Sequence, residues 1–69
     1  MNTKNYKRSG VQPMAPWTPE IEMEGVSISD ADKDNGSPKV GDMIAVNPND
    51  SDDRWLVAEK WFKENYEEA

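Results

Sequence analysis

Gly41-Asp42-Met43-Ile44-Ala45-Val46-Asn47-Pro48, a polar stretch, then Arg54-Trp55-Leu56-Val57-Ala58-Glu59-Lys60-Trp61-Phe62-Lys63-Glu64-Asn65-Tyr66-Glu67 is the part of the chain whose reading decides the fold. It holds two of the three tryptophans and the only phenylalanine. No other stretch is dense enough in large apolar groups to nucleate a core. The apolar run 43–46 predicts a central, largely buried strand. Residues 47–53, Asn47 to Asp53, predict a turn, because each favours local side-chain hydrogen bonds or a fixed φ. Residues 54–57 then return antiparallel and close a hairpin with a wide loop. Ala58, Trp61, Phe62 and Tyr66 fall at i, i+3, i+4 and i+8, an apolar stripe that predicts a helix over 58–67 docked on the hairpin. Glu59 with Lys63, and Lys63 with Glu67, stand at i,i+4 on its outer face and contribute only about 0.2–0.5 kcal/mol each. The stripe, not the charges, therefore decides where the helix docks.

Working upstream, Ile21-Glu22-Met23-Glu24 and Val26-Ser27-Ile28-Ser29 alternate strictly, with a change of phase across Gly25. That pattern predicts one bent strand over 20–29, with a β-bulge at the glycine. Residues 30–41 read as a long polar connection. Residues 1–16, punctuated by Gly10, Pro13 and Pro16, read as a flexible basic tail that buries nothing. Trp17 is expected to anchor that tail on the domain, with contact to a partner as the competing role. The expected fold is a small α+β domain over residues 17–69. It comprises a three-stranded, mainly antiparallel sheet (20–29, 42–47 and 54–58) with one C-terminal helix and the flexible N-terminal tail. Its expected core is Ile21, Met23, Val26, Ile28, Ile44, Val46, Leu56, Trp61, Phe62 and Tyr66.

Length and composition narrow the function classes. A chain of 69 residues makes one small domain that buries only about 60% of its unfolded surface. A homodimer interface is one route to further burial. There is no cysteine and no histidine, which excludes disulfides, thiolate chemistry, Cys/His zinc sites and the usual general base near neutral pH. No apolar run approaches the length of a membrane span, and no secretory h-region follows the basic start. The expected location is cytoplasmic. Lys4, Lys7 and Arg8 are the only charges in residues 1–19. Residues 20–69 carry all fourteen acids against five bases, and the whole chain sums to −6. A basic tail thus precedes an acidic body, which disfavours direct nucleic-acid binding by that body.

Three aspartates at spacing two, Asp30, Asp32 and Asp34, look like the start of a calcium loop. Counted from Asp30, the glycine position of an EF-hand is Asn35 and the bidentate glutamate position is Gly41, so both requirements fail. A solvated polar loop is expected instead, with no metal and no cofactor. Nothing supplies a nucleophile with an activating base, a phosphate-cradling glycine loop or a desolvated carboxylate pair. The expectation is no enzyme and no catalytic residue. Asp50, Asp52 and Asp53 in the hairpin turn, with Glu64, Glu67 and Glu68 at the helix end, add an extended negative surface. Such a surface either keeps a protein dissolved or imitates phosphate charge for a basic groove.

Gly41-Asp42, the strand 43–46, the strand residues Trp55, Leu56 and Val57, and then Phe62, Tyr66 and Glu67 together carry a resemblance. This arrangement resembles the C-terminal half of small uncharacterised proteins encoded by phages and prophages. Two departures stand out: Val40 where such proteins often have proline, and a longer turn without glycine at Asn47 to Asp53. The resemblance implies a bacteriophage origin and a small β-rich domain with a terminal helix; it implies no catalytic residues. Together with the composition, it leads to the expectation of an acidic accessory protein that binds and modulates, by inhibition, a host bacterial protein, with electrostatic mimicry of nucleic acid as one means. Candidate partner contacts are Trp17, Asp50, Asp52, Asp53, Trp55, Glu64, Glu67 and Glu68. The alternative is a minor structural or assembly module that oligomerises or decorates a larger particle.

Overall fold

The computed structural model describes residues 3–7 and 10–68. Along the chain these form β1 (Lys4–Lys7), β2 (Val11–Pro16), β3 (Val26–Ser27), α1 (Asp30–Asp34), β4 (Met43–Asn47), β5 (Asp50–Val57), α2 (Glu59–Asn65) and β6 (Glu67–Glu68). The strands make one six-stranded sheet in the order β3-β5-β4-β2-β1-β6. Only the β3–β5 pair is parallel. The expected three-stranded sheet with a single helix is therefore replaced by a six-stranded mixed sheet with two short helices.

The N-terminal segment departs furthest from the expected fold. Instead of a flexible tail, residues 4–7 and 11–16 form an antiparallel hairpin whose second strand lies against β4. Proline cannot donate to a ladder. The register shows why it is tolerated. Pro13 faces Asn5 of β1, and the β4 ladder begins only at Met14 opposite Ala45. Pro16 faces Met43 of β4, after the β1 ladder has ended at Lys4 opposite Met14. Each proline thus sits where β2 has one paired neighbour. The Gln12 side chain fills the gap beside Pro13, donating from Nε2 to the carbonyl of Val46 at 2.7 Å. Arg8, one of the three bases assigned to the tail, lies outside the described residues.

The strand expected over 20–29 shrinks to Val26–Ser27, parallel to Arg54–Trp55. Residues before it turn instead: Ile21 N–H donates to Thr18 and Val26 N–H to Met23, with Gly25 at φ +79°. Alternation there reports half-burial of Ile21, Met23, Val26 and Ile28, without a partner strand along 21–24. The polar connection 30–41 also gains structure. Ser29 caps α1, its hydroxyl accepting from Asp32 N–H, and Asp30 and Asp32 sit in the first turn, where negative charge is favoured.

The β4–β5 hairpin turns more tightly than the sequence suggests, with Asn47 opposite Asp50. The register then slips, because Val46 faces Arg54, so Ser51, Asp52 and Asp53 bulge out of the ladder. Helix α2 stops at Asn65 rather than reaching residue 67. Tyr66 turns extended, and Glu67–Glu68 pair with Tyr6 and Lys7 of β1.

The core is centred on β4. Met14, Ala15, Met43, Ile44, Ala45, Leu56 and Val57 are buried. Met14, Met43, Ala45 and Val57 form one cluster, against which Tyr6, Trp55, Phe62 and Tyr66 pack. Tyr6 meets Phe62 edge-on with centroids 4.9 Å apart, and Phe62 stacks on Tyr66 at 6.1 Å. Of the expected core, Ile44 and Leu56 are buried and Phe62 and Tyr66 pack against the cluster, whereas Ile21, Met23, Val26, Ile28 and Val46 are only half-buried and Trp61 is 49% exposed.

Because Met14 is fully buried, Met14→Ala should remove about 2–5 kcal/mol, most of what a domain of this size has. Thermal melting should show a loss of cooperative unfolding or a fall beyond 10 °C, scaled at about 4–8 °C per kcal/mol. Ile21→Ala, half-buried, should cost clearly less. Equal, small effects at both positions would mean that β2 is not a central strand.

Candidate binding surface

Two constellations bring chemistry-bearing side chains together, one that holds the surface in place and one that forms it. The first is built on Asp42, the only buried charged residue among those described. Its Oδ2 accepts from Ser37 Oγ at 2.7 Å and from Lys39 N–H at 2.9 Å. Its Oδ1 accepts from Glu59 N–H at 2.9 Å. The Asp42 backbone donates to Lys39 C=O and accepts from Trp17 N–H. One residue thereby ties the loop 37–41, the chain leaving β2 and the start of α2. Ala58, the N-cap of α2, offers no side-chain acceptor. Asp42 therefore caps that helix from a distant position, placing negative charge at its N-terminus. Gly41 makes the approach feasible. Its φ is +106°, and a Cβ there would collide with the Glu59 carboxylate.

The second constellation is an open cleft of about 320 Å³ where β5, α1 and α2 meet. Trp55, Trp61 and Tyr66 supply aromatic wall, and Ser29 and Asp32 stand at the α1 side. Trp55 comes from the end of β5, Trp61 lies in the first turn after the Asp42-capped start of α2, and Tyr66 follows its last residue. The Asp32 backbone is consumed by the α1 cap and by the turn at Asn35 and Ser37. Its carboxylate makes no hydrogen bond or ion pair among the described residues. Asp32 is also shared with a second cleft of about 330 Å³, lined by Lys39, Glu59 and Lys60 among others.

The expected contact residues are distributed over the molecule. Asp50, Asp52 and Asp53 cluster at the exposed hairpin tip. There Asp52 N–H donates to Asp50 Oδ1, and Asn47 Nδ2 donates to Asp53 Oδ2. Glu64 is exposed on α2. Glu67 and Glu68 lie at the opposite sheet edge and pair with Lys7 at 3.5 Å and Lys4 at 3.6 Å. These exposed pairs contribute about 0–1 kcal/mol, but they cancel charge locally. Trp17 is half-buried, and its indole N–H is enclosed without an acceptor. Trp55 is half-buried and reaches both the core cluster and the cleft. Glu20, exposed after Pro19, is held below the usual carboxylate range chiefly by the Thr18 side-chain hydrogen bond. Among the described residues no group of three or more carboxylates is placed to hold a metal ion, and Asp30, Asp32 and Asp34 lie on a helix rather than in a loop.

Sequence reasoning missed Asp42 as a tether and Asp32 as a cleft residue. The signal for Asp42 was available in Gly41-Asp42 followed by a helix whose own N-cap is alanine. That for Asp32 was not, because it depends on α1 standing beside α2. Comparison with protein-family models, with curated proteins and with solved structures gave no match. Among the described residues no helix is long and apolar enough to cross a membrane.

Asp42→Ala should strand three donors at once, and each charge-assisted bond contributes about 1.5–3 kcal/mol. A fall in melting temperature beyond 10 °C is expected. Gly41→Ala should cost about 1–3 kcal/mol through its backbone conformation, with Asp42 untouched. Hydrogen exchange should show the amides of Glu59 and Lys39 losing protection in the Asp42 variant. Retained protection there would remove Asp42 from the role of cap.

Proposed function

We propose that this protein is a small acidic binding module of phage origin that docks on a basic surface of a host bacterial protein and modulates it. The supporting observation is the segregation of charge. Three lysines are taken up in pairs with Glu59, Glu67 and Glu68. Asp50, Asp52 and Asp53 are left together at the hairpin tip with no ion-pair partner among the described residues. A bulge that pushes three residues out of a ladder exposes their side chains to a partner, and like charges held together cost stability unless a counter-charge meets them. The resemblance of residues 41–67 to phage and prophage proteins supports the source, and the absence of histidine and cysteine supports binding over catalysis.

The mechanism that follows is electrostatic capture. The acidic tip steers the partner and raises the association rate, while apolar contact supplies residence time. Mimicry of nucleic acid is the special case in which the partner's basic surface is a phosphate-binding groove.

Affinity capture of the tagged chain from bacterial lysate, at low and moderate salt, tests this reading. A specific basic host protein should be recovered at low salt and weakened at moderate salt, because exposed charges are screened over about 10 Å at 0.1 M. The combined variant Asp50→Asn, Asp52→Asn, Asp53→Asn should lower that recovery at least tenfold, and Glu67→Gln with Glu68→Gln should leave it nearly unchanged. Recovery of phage components alone from an infected lysate would replace the modulator with an assembly module.

A further inference from the structure

We propose that the cleft between β5, α1 and α2 receives one arginine side chain of a basic protein partner, with the guanidinium held by the Trp55, Trp61 and Tyr66 rings and the Asp32 carboxylate. This rests on the reading of the protein as a binder of a basic partner, and it names where a cation enters.

Three observations carry it. First, the walls are aromatic: indole and phenol faces attract a cation lying within about 6 Å of the ring centre, indole most strongly. Second, one carboxylate stands at the rim without a partner. The cations nearest in the fold form no ion pair with it among the described residues. Lys33 lies on the same helix, and Lys39 and Lys60 line the adjoining cleft, yet the ion pairs formed use Lys4, Lys7 and Lys63. Third, the volume of about 320 Å³ is at the lower bound of ligand pockets, which run from about 300 to 1,000 Å³. It suits one side chain rather than a cofactor.

Charge decides what kind of side chain. An apolar group laid over Asp32 would strip water from a carboxylate and return no bond, which is costly. Arginine suits the site better than lysine. Its guanidinium is planar, stacks on aromatic faces, gives up water more readily and presents paired donors to a carboxylate. Trp61, half-exposed at the cleft wall, is then a contact and not a misplaced core residue.

The test titrates the full chain with N-acetyl-arginine amide, following tryptophan fluorescence and the indole N–H resonances. N-acetyl-citrulline amide, the neutral isostere, and N-acetyl-lysine amide run in parallel. Saturable millimolar binding of the arginine probe is expected, at least tenfold tighter than citrulline and tighter than lysine. Trp61→Ala and Asp32→Asn should each weaken it by about 2- to 30-fold, and melting curves should show both variants folded. Equal binding of citrulline would overturn the proposal in favour of a merely apolar slot. Tighter binding of lysine, no saturation, or no effect of either variant would also overturn it. If the arginine probe fails while salt-sensitive capture of a basic host protein persists, the cleft assignment falls alone. If the probe binds as expected while the hairpin-tip variant captures normally, the acidic-tip reading falls alone.

Discussion

The carboxylate of Asp42 is the constraint on which the rest of the structure depends. In a chain with so little to bury, a fully buried charge is a liability unless its oxygens are all engaged. Here they accept from a serine hydroxyl and two backbone amides. Those donors come from the loop before β4 and from the helix after β5, so one side chain closes both ends of the central hairpin. With the capping acceptor placed seventeen residues upstream, α2 forms only when the hairpin has formed. A seven-residue helix is too short to be stable alone in water. Its existence is a tertiary fact.

The same economy governs the sheet. β4 is apolar over residues 43–46 and needs cover on two sides and two faces. β5 supplies one side, and β2, with two prolines, supplies the other. The prolines sit at the staggered ends of the ladders, and beside Pro13 the Gln12 side chain supplies the donor to Val46 C=O. Aromatic side chains from three separate segments, Tyr6, Trp55 and the Phe62–Tyr66 pair, then pack against Met14, Met43, Ala45 and Val57. The terminal Glu67–Glu68 strand fastens β1 on its outer side. First and last segments are thereby joined, which removes the freedom expected of a tail.

Surface charge follows from this geometry rather than from composition. Lys4 and Lys7, read along the chain as a basic handle, meet Glu68 and Glu67 across the sheet edge and are spent there. The negative surface is consequently displaced to the hairpin tip and to the α1 side of the cleft. The two-residue strands at both edges of the sheet, and the acidic side chains of the Glu67–Glu68 edge, also discourage edge-to-edge pairing with other chains.

The sequence by itself determined the central hairpin, because an apolar run, a turn-rich stretch and a second apolar run carry their own periodicity. It determined that a helix follows, from the stripe Ala58, Trp61, Phe62 and Tyr66, and it placed Trp55 and the acids of residues 50–53 on the surface-bearing half. Tertiary structure alone decided the rest. Whether Val11–Pro16 is a strand depends on which donors its neighbours need, and local propensity reads only the prolines. Whether residues 20–24 pair depends on a partner strand, and alternation reports only half-burial. The acids of residues 30–34 became a capped helix beside α2 because Ser29 and the Asp42 loop set its start and exit. Periodicity records which side of an element meets the core; long-range hydrogen bonds and charge pairs choose among the folds that satisfy it, and in this chain they run through Asp42.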